Sequence, residues 1–332
     1  MKKSALIIAA CLGAVMTIYL VYYVGIGSVI GAISSLGWRG FALLCILGIA
    51  LYAFMSLGWF VLVPDGPAKR WSTFFWGRAV RDSAGEVLPL SQFGGFVIGA
   101  RAVALRGVPS AEAYASTVVD VTTEMLAQIV FVVLGAILLV KHLGFQSHHS
   151  QLFLPLLFGP VLAALGAVGF IVVQRRGPLF AEKLAARVLP RAVGHAGAFA
   201  HSISDIYASR GRLVVSAVIH FAAWMASAGI SWIAVRLIGG HIGYFHMVAI
   251  ESALSAIRSA AVIVPSAVGV QEATYAMLMP LFGVAPGIGL ALSLLKRACS
   301  IVIGVPVLLS WQGLEGHQAL AIETREERLS EN

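Results

Sequence analysis

Long apolar runs dominate this chain and leave few folds open to it. A helix needs about 20 predominantly apolar residues to cross a bilayer, and six runs reach that length. They lie at roughly 5–24, 41–63, 113–140, 152–173, 213–237 and 287–310. Of the 332 residues, 59% are hydrophobic and 11% are charged, whereas a soluble domain has about 45–50% and about 25%. The sequence therefore predicts an all-α polytopic membrane protein.

Two further segments, 87–107 and 263–284, are apolar but broken by Pro and Gly. The first contains LPLSQFGGFVIGAR, in which Pro89 and three glycines interrupt a membrane-like run, and the second contains Pro265. We predict a re-entrant hairpin in each, so that six of eight hydrophobic segments cross fully. Unwound backbone at membrane depth is tolerated only where it is buried in protein or lines a wet cavity. The hairpin tips are therefore expected to face a cavity, unless the glycines serve only close helix packing.

The distribution of positive charge predicts the topology. Four Lys and Arg lie in 64–86 and seven in 174–212, against Arg39, Lys141 and Arg236 in the short segments at the other ends. Under the positive-inside rule, both termini and both basic segments are cytoplasmic if six runs cross fully. The formal charge of +8 is thus interpreted as a topology signal of an inner-membrane protein, and not as a nucleic-acid-binding surface.

For the segments near the ends of the spans and the chain, the sequence makes simpler predictions. Residues 174–212 form a cytoplasmic segment, either an amphipathic helix on the inner leaflet or a plain linker. The tail 311–332 is acidic and is expected to be cytoplasmic and frayed. The first run is expected to be a retained span, because too few apolar residues precede Cys11 for a signal sequence cleaved there.

An offset of 176 residues relates the two halves of the chain. Pro89 falls on Pro265, and Gly107 falls on Gly283, so the separation within each pair is the same. We predict one integral membrane domain over 1–310, with repeat A at about 5–140 and repeat B at about 152–310. Three crossings per half make the second repeat inverted relative to the first. Inverted repeats with discontinuous helices are a transporter architecture, with substrate held near the bilayer midplane.

Ionisable residues inside membrane segments are candidates for function because they are costly to place there. They cluster around the two hairpins: Arg81, Asp82, Glu86, Arg101, Asp120 and Glu124, then Glu251, Arg258, Glu272, Lys296 and Arg297. Asp120 and Glu124 share a helix face, and Lys296 and Arg297 occupy the matching place in the second half. One hypothesis is a salt bridge between these two spans, structural or gating.

Two other hypotheses concern the arginines and the hairpin tips. Arg81 and Arg258 precede the hairpins, and each either binds a lipid phosphate or anchors at the interface by snorkelling. Gln92 and Gln271 lie near the tips with glycines, where amides and free backbone groups could hold a headgroup.

Signals for other chemistry are weak. No P-loop and no G-x-S-x-G elbow occur, so we predict no catalytic residue and no cofactor. His142, His148 and His149 lie together in a loop without a Cys or carboxylate at ligand spacing, so no metal site is predicted. The three cysteines lie in apolar segments and are interpreted as small packing residues.

Three blocks carry a family resemblance: RDSAGEVLPLSQFGGFVIGARAVALRGVPSAEAYASTVVDVTTEM, VPSAVGVQEATYAMLMPLFGV and LSLLKRA. They resemble the hopanoid-biosynthesis-associated membrane proteins, within the superfamily of lysylphosphatidylglycerol synthase transmembrane regions, over about 5–310. The resemblance implies a polytopic lipid-handling module. In the aminoacyl-phosphatidylglycerol synthases such a region flips the lipid made by a separate soluble domain. This sequence shows no such domain, so synthase activity is not carried over.

The resemblance and the residue patterns together predict a lipid translocase, or flippase, for hopanoid or another polar lipid such as an anionic phospholipid. The alternatives are a scaffold for hopanoid biosynthesis enzymes and an integral headgroup transferase. The predicted substrate-binding residues are Arg81, Asp82, Glu86, Gln92, Gly94, Gly95, Arg101, Asp120, Glu124, Arg258, Gly269, Gln271, Glu272, Lys296 and Arg297. Pro89 and Pro265 match the family blocks as well. Without an ATP site, transport would use proton coupling or simple equilibration.

Overall fold

The computed structural model describes residues 26–66, 69–87, 92–143, 193–260 and 269–330, and this part of the chain is helical without strands. Its helices are α1 Ile26–Leu62, α2 Trp71–Val87, α3 Gln92–Ala104, α4 Ser110–Leu143, α5 Val193–Ala208, α6 Arg210–Leu237, α7 Tyr244–Ala260, α8 Val270–Leu278 and α9 Pro286–Ser330. A short 3-10 helix, Met279–Phe282, follows α8. The predicted runs 5–24 and 152–173, and both hairpin prolines, lie outside the described residues.

Among the described residues, four helices are long and apolar enough to cross a membrane, which confirms the multi-pass helical class. They are Leu36–Leu62 in α1, Ser110–His142 in α4, Arg210–Leu237 in α6 and Pro286–Glu315 in α9. Each contains one of the six predicted runs or nearly all of it. Leu43, Ile46 and Val218 are among their exposed side chains, as expected for surfaces that face acyl chains. The count of six crossings and two re-entrant segments stays a prediction.

The two broken segments contain short helices. Helix α3 has 13 residues, and α8 has nine residues, extended by the four of the 3-10 helix. At about 1.5 Å per residue, neither reaches the roughly 30 Å of a bilayer core. Gly107 follows α3 with φ 96°, and Gly283 follows the 3-10 helix with φ 74°. Only glycine adopts this left-handed backbone at little cost, which explains why both halves place it before the next long helix.

The same order of helices occurs on both sides of α5. The series α1, α2, α3, α4 is matched by α6, α7, α8, α9, and the second helix of each series has 17 residues. The two series interlock, because α2 packs against α9, α7 packs against α4, and α1 packs against α6. One apolar cluster around Trp59 and Phe74 holds the first series, and another around Met247 and Leu292 holds the second.

The glycines of the first broken segment serve close packing. A Cβ atom on Gly99 would lie 2.7 Å from Arg81 Cβ and 3.0 Å from the Gly77 carbonyl oxygen. A Cβ on Gly95 would lie 2.7 Å from the Arg81 carbonyl oxygen. Because only glycine lets backbones approach this closely, α3 lies directly against α2, and the packing account of these two glycines is supported.

Two expectations for the outer segments change. Within 174–212, α5 is a helix whose Phe199, Ile203 and Ile206 pack in a cluster with residues of α1 and α4, so these apolar side chains contact protein. The expectation of a frayed tail from Trp311 is wrong, because α9 continues as a helix to Ser330. Ala, Leu, Glu and Arg are strong helix formers, and they outweigh the acidic character from which fraying was expected.

Candidate functional site

Five ionisable side chains from three helices form a buried network, in which four lie on α2 and α4 of the first half and one lies on α6. On α2, Arg81 donates to Asp120 Oδ2 at 2.6 Å and to Glu124 Oε2 at 2.5 Å. Arg78 donates from Nη2 to Glu124 Oε1 at 2.8 Å. The His220 Nε2 atom of α6 lies 2.8 Å from Asp120 Oδ1. Asp120 and His220 are fully buried, and we call this set the three-helix network.

The three-helix network is tightly enclosed. Phe96 of α3 lies over the Arg81 guanidinium at 4.7 Å from the ring centroid. Asp82 accepts a further bond from Arg78 Nε at 2.6 Å. Each carboxylate on α4 is thus held by a cation of α2, and the bonds satisfy charges that burial would otherwise penalise. This arrangement suits a structural joint between α2, α4 and α6 better than a surface that admits a ligand.

Sequence reasoning missed two members of the network. Arg78 was absent from the predicted site although it lies four residues before Asp82 on the same helix face, and that spacing could have found it. His220 lies inside an apolar run, and the rule that flags charged groups in spans could have identified it too.

A smaller group occupies the second half. Lys296 of α9 lies 3.0 Å from both carboxylate oxygens of Glu251 on α7. The Tyr275 hydroxyl donates to Glu251 Oε1 at 2.5 Å and lies 2.9 Å from the Lys296 ammonium. Glu251 was noted as ionisable but not assigned to the site, and Tyr275 was missed because a tyrosine in an apolar run gives no distinct signal.

Next to it, Arg297 holds Glu272 through two nitrogens. Arg297 Nε lies 2.6 Å from Glu272 Oε1, and Nη2 lies 3.2 Å from Oε2. Glu272 Oε2 also accepts the backbone N–H of Gly269 at 2.8 Å, which caps α8. Gln271 donates to Ser293 Oγ at 2.8 Å. Among the predicted polar residues, Gln271, Glu272 and Arg297 are thus brought together by α8 and α9.

The predicted salt bridge between the two long spans is wrong. Asp120 and Glu124 are paired with arginines of α2, Lys296 with Glu251 and Arg297 with Glu272. The partners come from other helices: α2 supplies Arg78 and Arg81, α7 supplies Glu251, and α8 supplies Glu272.

Equivalent positions of the two halves carry opposite charges. Arg78 is the eighth residue of α2, and Glu251 is the eighth residue of α7. Asp120 and Lys296 stand at the same distance after Gly107 and Gly283. Arg78 Nη1 lies 3.5 Å from Asp120 Oδ2, and Lys296 Nζ lies 3.0 Å from Glu251. Both halves therefore place an ion pair at equivalent positions, but the positions of the basic and the acidic residue are exchanged.

One ion pair joins the halves where α2 and α7 end. Arg258 Nη2 lies 2.7 Å from Glu86 Oε1, and the two side chains are 23% and 34% exposed. Each residue stands just before a broken segment. This bridging pair is less buried than the three-helix network, in which Arg78 and Arg81 are 2% and 4% exposed.

The remaining predicted residues lie apart from these groups or form backbone. Arg101 of α3 pairs with Glu315 of α9 at 2.6 Å, and its side chain is 46% exposed. Gln92 begins α3, and Gly94 lies in its first turn. Within the described residues no group of three potential metal ligands occurs. His142 instead stacks on Phe282, with ring centroids 4.5 Å apart.

The chain belongs to the lysylphosphatidylglycerol synthase transmembrane region family, whose sequence model matches residues 5–307. No curated protein and no solved structure matches it significantly. Membership in this family indicates a membrane protein of lipid metabolism or lipid transport.

Proposed function

We propose that this member of the lysylphosphatidylglycerol synthase transmembrane region family moves a polar lipid between the leaflets of the bacterial inner membrane. In this proposal both termini are cytoplasmic, six segments cross, and the broken segments enter as re-entrant hairpins of an inverted repeat. The lipid is a hopanoid or another polar lipid such as an anionic phospholipid. The observation that carries the proposal is the bridging pair Glu86–Arg258, which joins the halves and stays partly exposed.

The bridging pair has the chemistry that a headgroup needs. A polar headgroup crosses the bilayer core slowly because it loses its hydration there. Paired charges offer replacement hydrogen bonds of about 1.5–3 kcal/mol each. Arg258 and Glu86 supply one donor and one acceptor group, and α7, α8 and α9 carry two further ion pairs, Lys296–Glu251 and Arg297–Glu272.

The acyl chains would stay in the hydrocarbon core of the bilayer while the headgroup moves. Exposed apolar side chains lie on the helices that carry the charged pairs: Ile257 next to Arg258, Met277 on α8 and Leu290 on α9. Such surfaces pack against acyl chains without hydration cost. The polar and apolar parts of one lipid thus find matching surfaces on the same helices. Since no nucleotide site occurs in the sequence, equilibration or proton coupling would drive the movement.

Liposomes containing the purified full chain test the proposal. A fluorescent polar lipid or a hopanoid is placed in the outer leaflet, and its transfer to the inner leaflet is followed. Arg258→Ala is expected to slow exchange about tenfold, the effect of losing about 1.4 kcal/mol from the transition state. Arg236→Ala is the matched control, because this exposed arginine lies at the far end of α6 and should leave exchange unchanged.

The two alternative functions predict a different result. A scaffold or an integral headgroup transferase would show no exchange for any lipid, while a deletion strain would still have altered hopanoid products. That combination would remove the translocase proposal. Altered headgroup chemistry of a lipid incubated with the purified chain would then select the transferase over the scaffold.

A further inference from the structure

We infer that Glu86 occupies a binding site for a phosphate group and acts there as an internal substitute for a lipid headgroup. The inference rests on the proposed function and names the chemistry of its substrate: a phosphate-bearing lipid. It follows from how three cations and three carboxylates are paired in the second half and at the junction of the halves.

The three cations differ in how completely they are bound. Both oxygens of Glu251 hold Lys296, and both oxygens of Glu272 hold Arg297. Arg258 in contrast contacts Glu86 through Nη2 and a single carboxylate oxygen. A guanidinium has five N–H donors. Within the described residues, Arg258 is therefore the cation of this group that retains the most donor capacity for another anion.

The position of the Glu86 carboxylate is favourable for an anion. Besides Arg258, the charges of Arg297 and Lys296 act on it electrostatically. Carboxylates and phosphates both form parallel bonds to a guanidinium, but Glu86 contacts Arg258 through a single oxygen. A phosphate at this position would thus satisfy donors of Arg258 that Glu86 does not reach.

Replacing Glu86 requires little rearrangement. The acidic partner comes from α2, whereas all three cations lie on α7 and α9. If the Glu86 side chain turns away, the Lys296–Glu251 and Arg297–Glu272 pairs stay intact. The Glu86 and Arg258 side chains are also partly exposed, at 34% and 23%, so that a headgroup can reach them. Glu86 would then be a competitor that is displaced when lipid binds and returns when lipid leaves.

The test uses the purified full chain in a neutral detergent with dioctanoyl phosphatidylglycerol as the probe. Binding is measured by native mass spectrometry for the native chain, Glu86→Gln and Arg258→Gln. Removing the internal anion with Glu86→Gln should tighten binding about tenfold, which corresponds to about 1.4 kcal/mol, and Arg258→Gln should abolish it. Glu112→Gln, a carboxylate on the far end of α4, is the control and should bind as the native chain does.

Two further probes identify the chemistry and its source. Dioctanoylglycerol, which lacks the phosphate, should not respond to Glu86→Gln. Inorganic phosphate should compete with the lipid for Glu86→Gln if the site recognises phosphate alone, and should fail to compete if the lipid is required as well. Unchanged or weaker lipid binding by Glu86→Gln would overturn the inference. If that variant does not fold, Glu86→Asp, which shortens the side chain by one methylene, should give a smaller tightening.

The outcomes separate this inference from the proposed function. Lipid binding that depends on Glu86 and Arg258, without any leaflet exchange in liposomes, would keep the phosphate site and remove the translocase. Exchange in liposomes together with binding that ignores Glu86→Gln would keep the translocase and remove Glu86 as the internal substitute.

Discussion

The two halves of this protein use the same order of helices but hold their charges differently. In the first half, α3 lies directly against α2 through glycines, and the three-helix network beneath it is almost completely buried. In the second half, α8 packs against α9, where a Cβ on Gly289 would lie 2.9 Å from the Tyr275 carbonyl oxygen. The second-half pairs retain more solvent contact, with the Lys296 side chain 29% exposed.

This difference suggests a division of labour. A buried charge that loses its partner is strongly destabilising, so the three-helix network cannot open at low cost. Partly exposed pairs lose less when they separate, since water or a headgroup can replace the partner. We therefore assign the first half to holding the fold, and the second half with the bridging pair to contacting a ligand. Four measurements can break or sharpen this comparison.

The largest effect is expected from Arg81→Ala. The substitution leaves Asp120 and Glu124 without one of their cations in a buried place, and it should lower the free energy of unfolding by about 3–5 kcal/mol. Reversible unfolding in SDS and detergent mixtures measures the loss. Arg258→Ala, in the exposed bridging pair, should cost far less. Equal losses for the two variants would contradict the division between the halves.

Gly99→Ala tests the close approach of α3 to α2. The added methyl group would meet Arg81 Cβ at 2.7 Å, so we expect a loss of about 3 kcal/mol, at the upper end for overpacking. Gly85→Ala is the matched control, because nothing lies within 4 Å of a Cβ at that position of α2. The same unfolding measurement compares both. A neutral Gly99→Ala would show that the first half is packed less tightly than described.

Exchanging the charges of Glu251 and Lys296 tests whether this ion pair is independent of its surroundings. Glu251→Gln should lower the free energy of unfolding by about 2 kcal/mol, since it weakens the bonds of this side chain to Lys296 and Tyr275. The double variant Glu251→Lys with Lys296→Glu should recover most of that loss. The corresponding swap of Arg78 and Asp120 should not recover, because Arg78 also binds Asp82 and Glu124. Recovery in both halves, or in neither, would remove the contrast.

The smallest effect is expected at the two left-handed glycines. Gly107→Ala and Gly283→Ala should each cost about 1–2 kcal/mol, the cost of a Cβ in this backbone region. Nothing lies within 4 Å of a Cβ at either position, so the backbone alone sets the value. Similar losses would show that the halves share this joint although their charges differ, whereas a loss at one glycine only would contradict that.

Much of the fold was readable from local pattern. Apolar runs predicted four described spans, because the hydrocarbon core demands a fixed length of apolar helix. The broken segments were located from Pro and Gly, and the spacing to Gly107 and Gly283 reflects backbone conformations that glycine adopts at little cost. The helical tail to Ser330 was not anticipated, since charge was weighed above helix propensity there.

The partners of the charged residues were decided by tertiary structure. The sequence placed Asp120, Glu124, Lys296 and Arg297 on spans and indicated that they need counter-charges. It could not show that α2 supplies the partners of Asp120 and Glu124, or that α7 and α8 supply those of Lys296 and Arg297, because Arg81 and Asp120 are 39 residues apart and Lys296 and Glu251 are 45 apart. Apolar patterning determines that a helix is buried in a membrane, whereas only the packing of one helix against another determines which side chains meet.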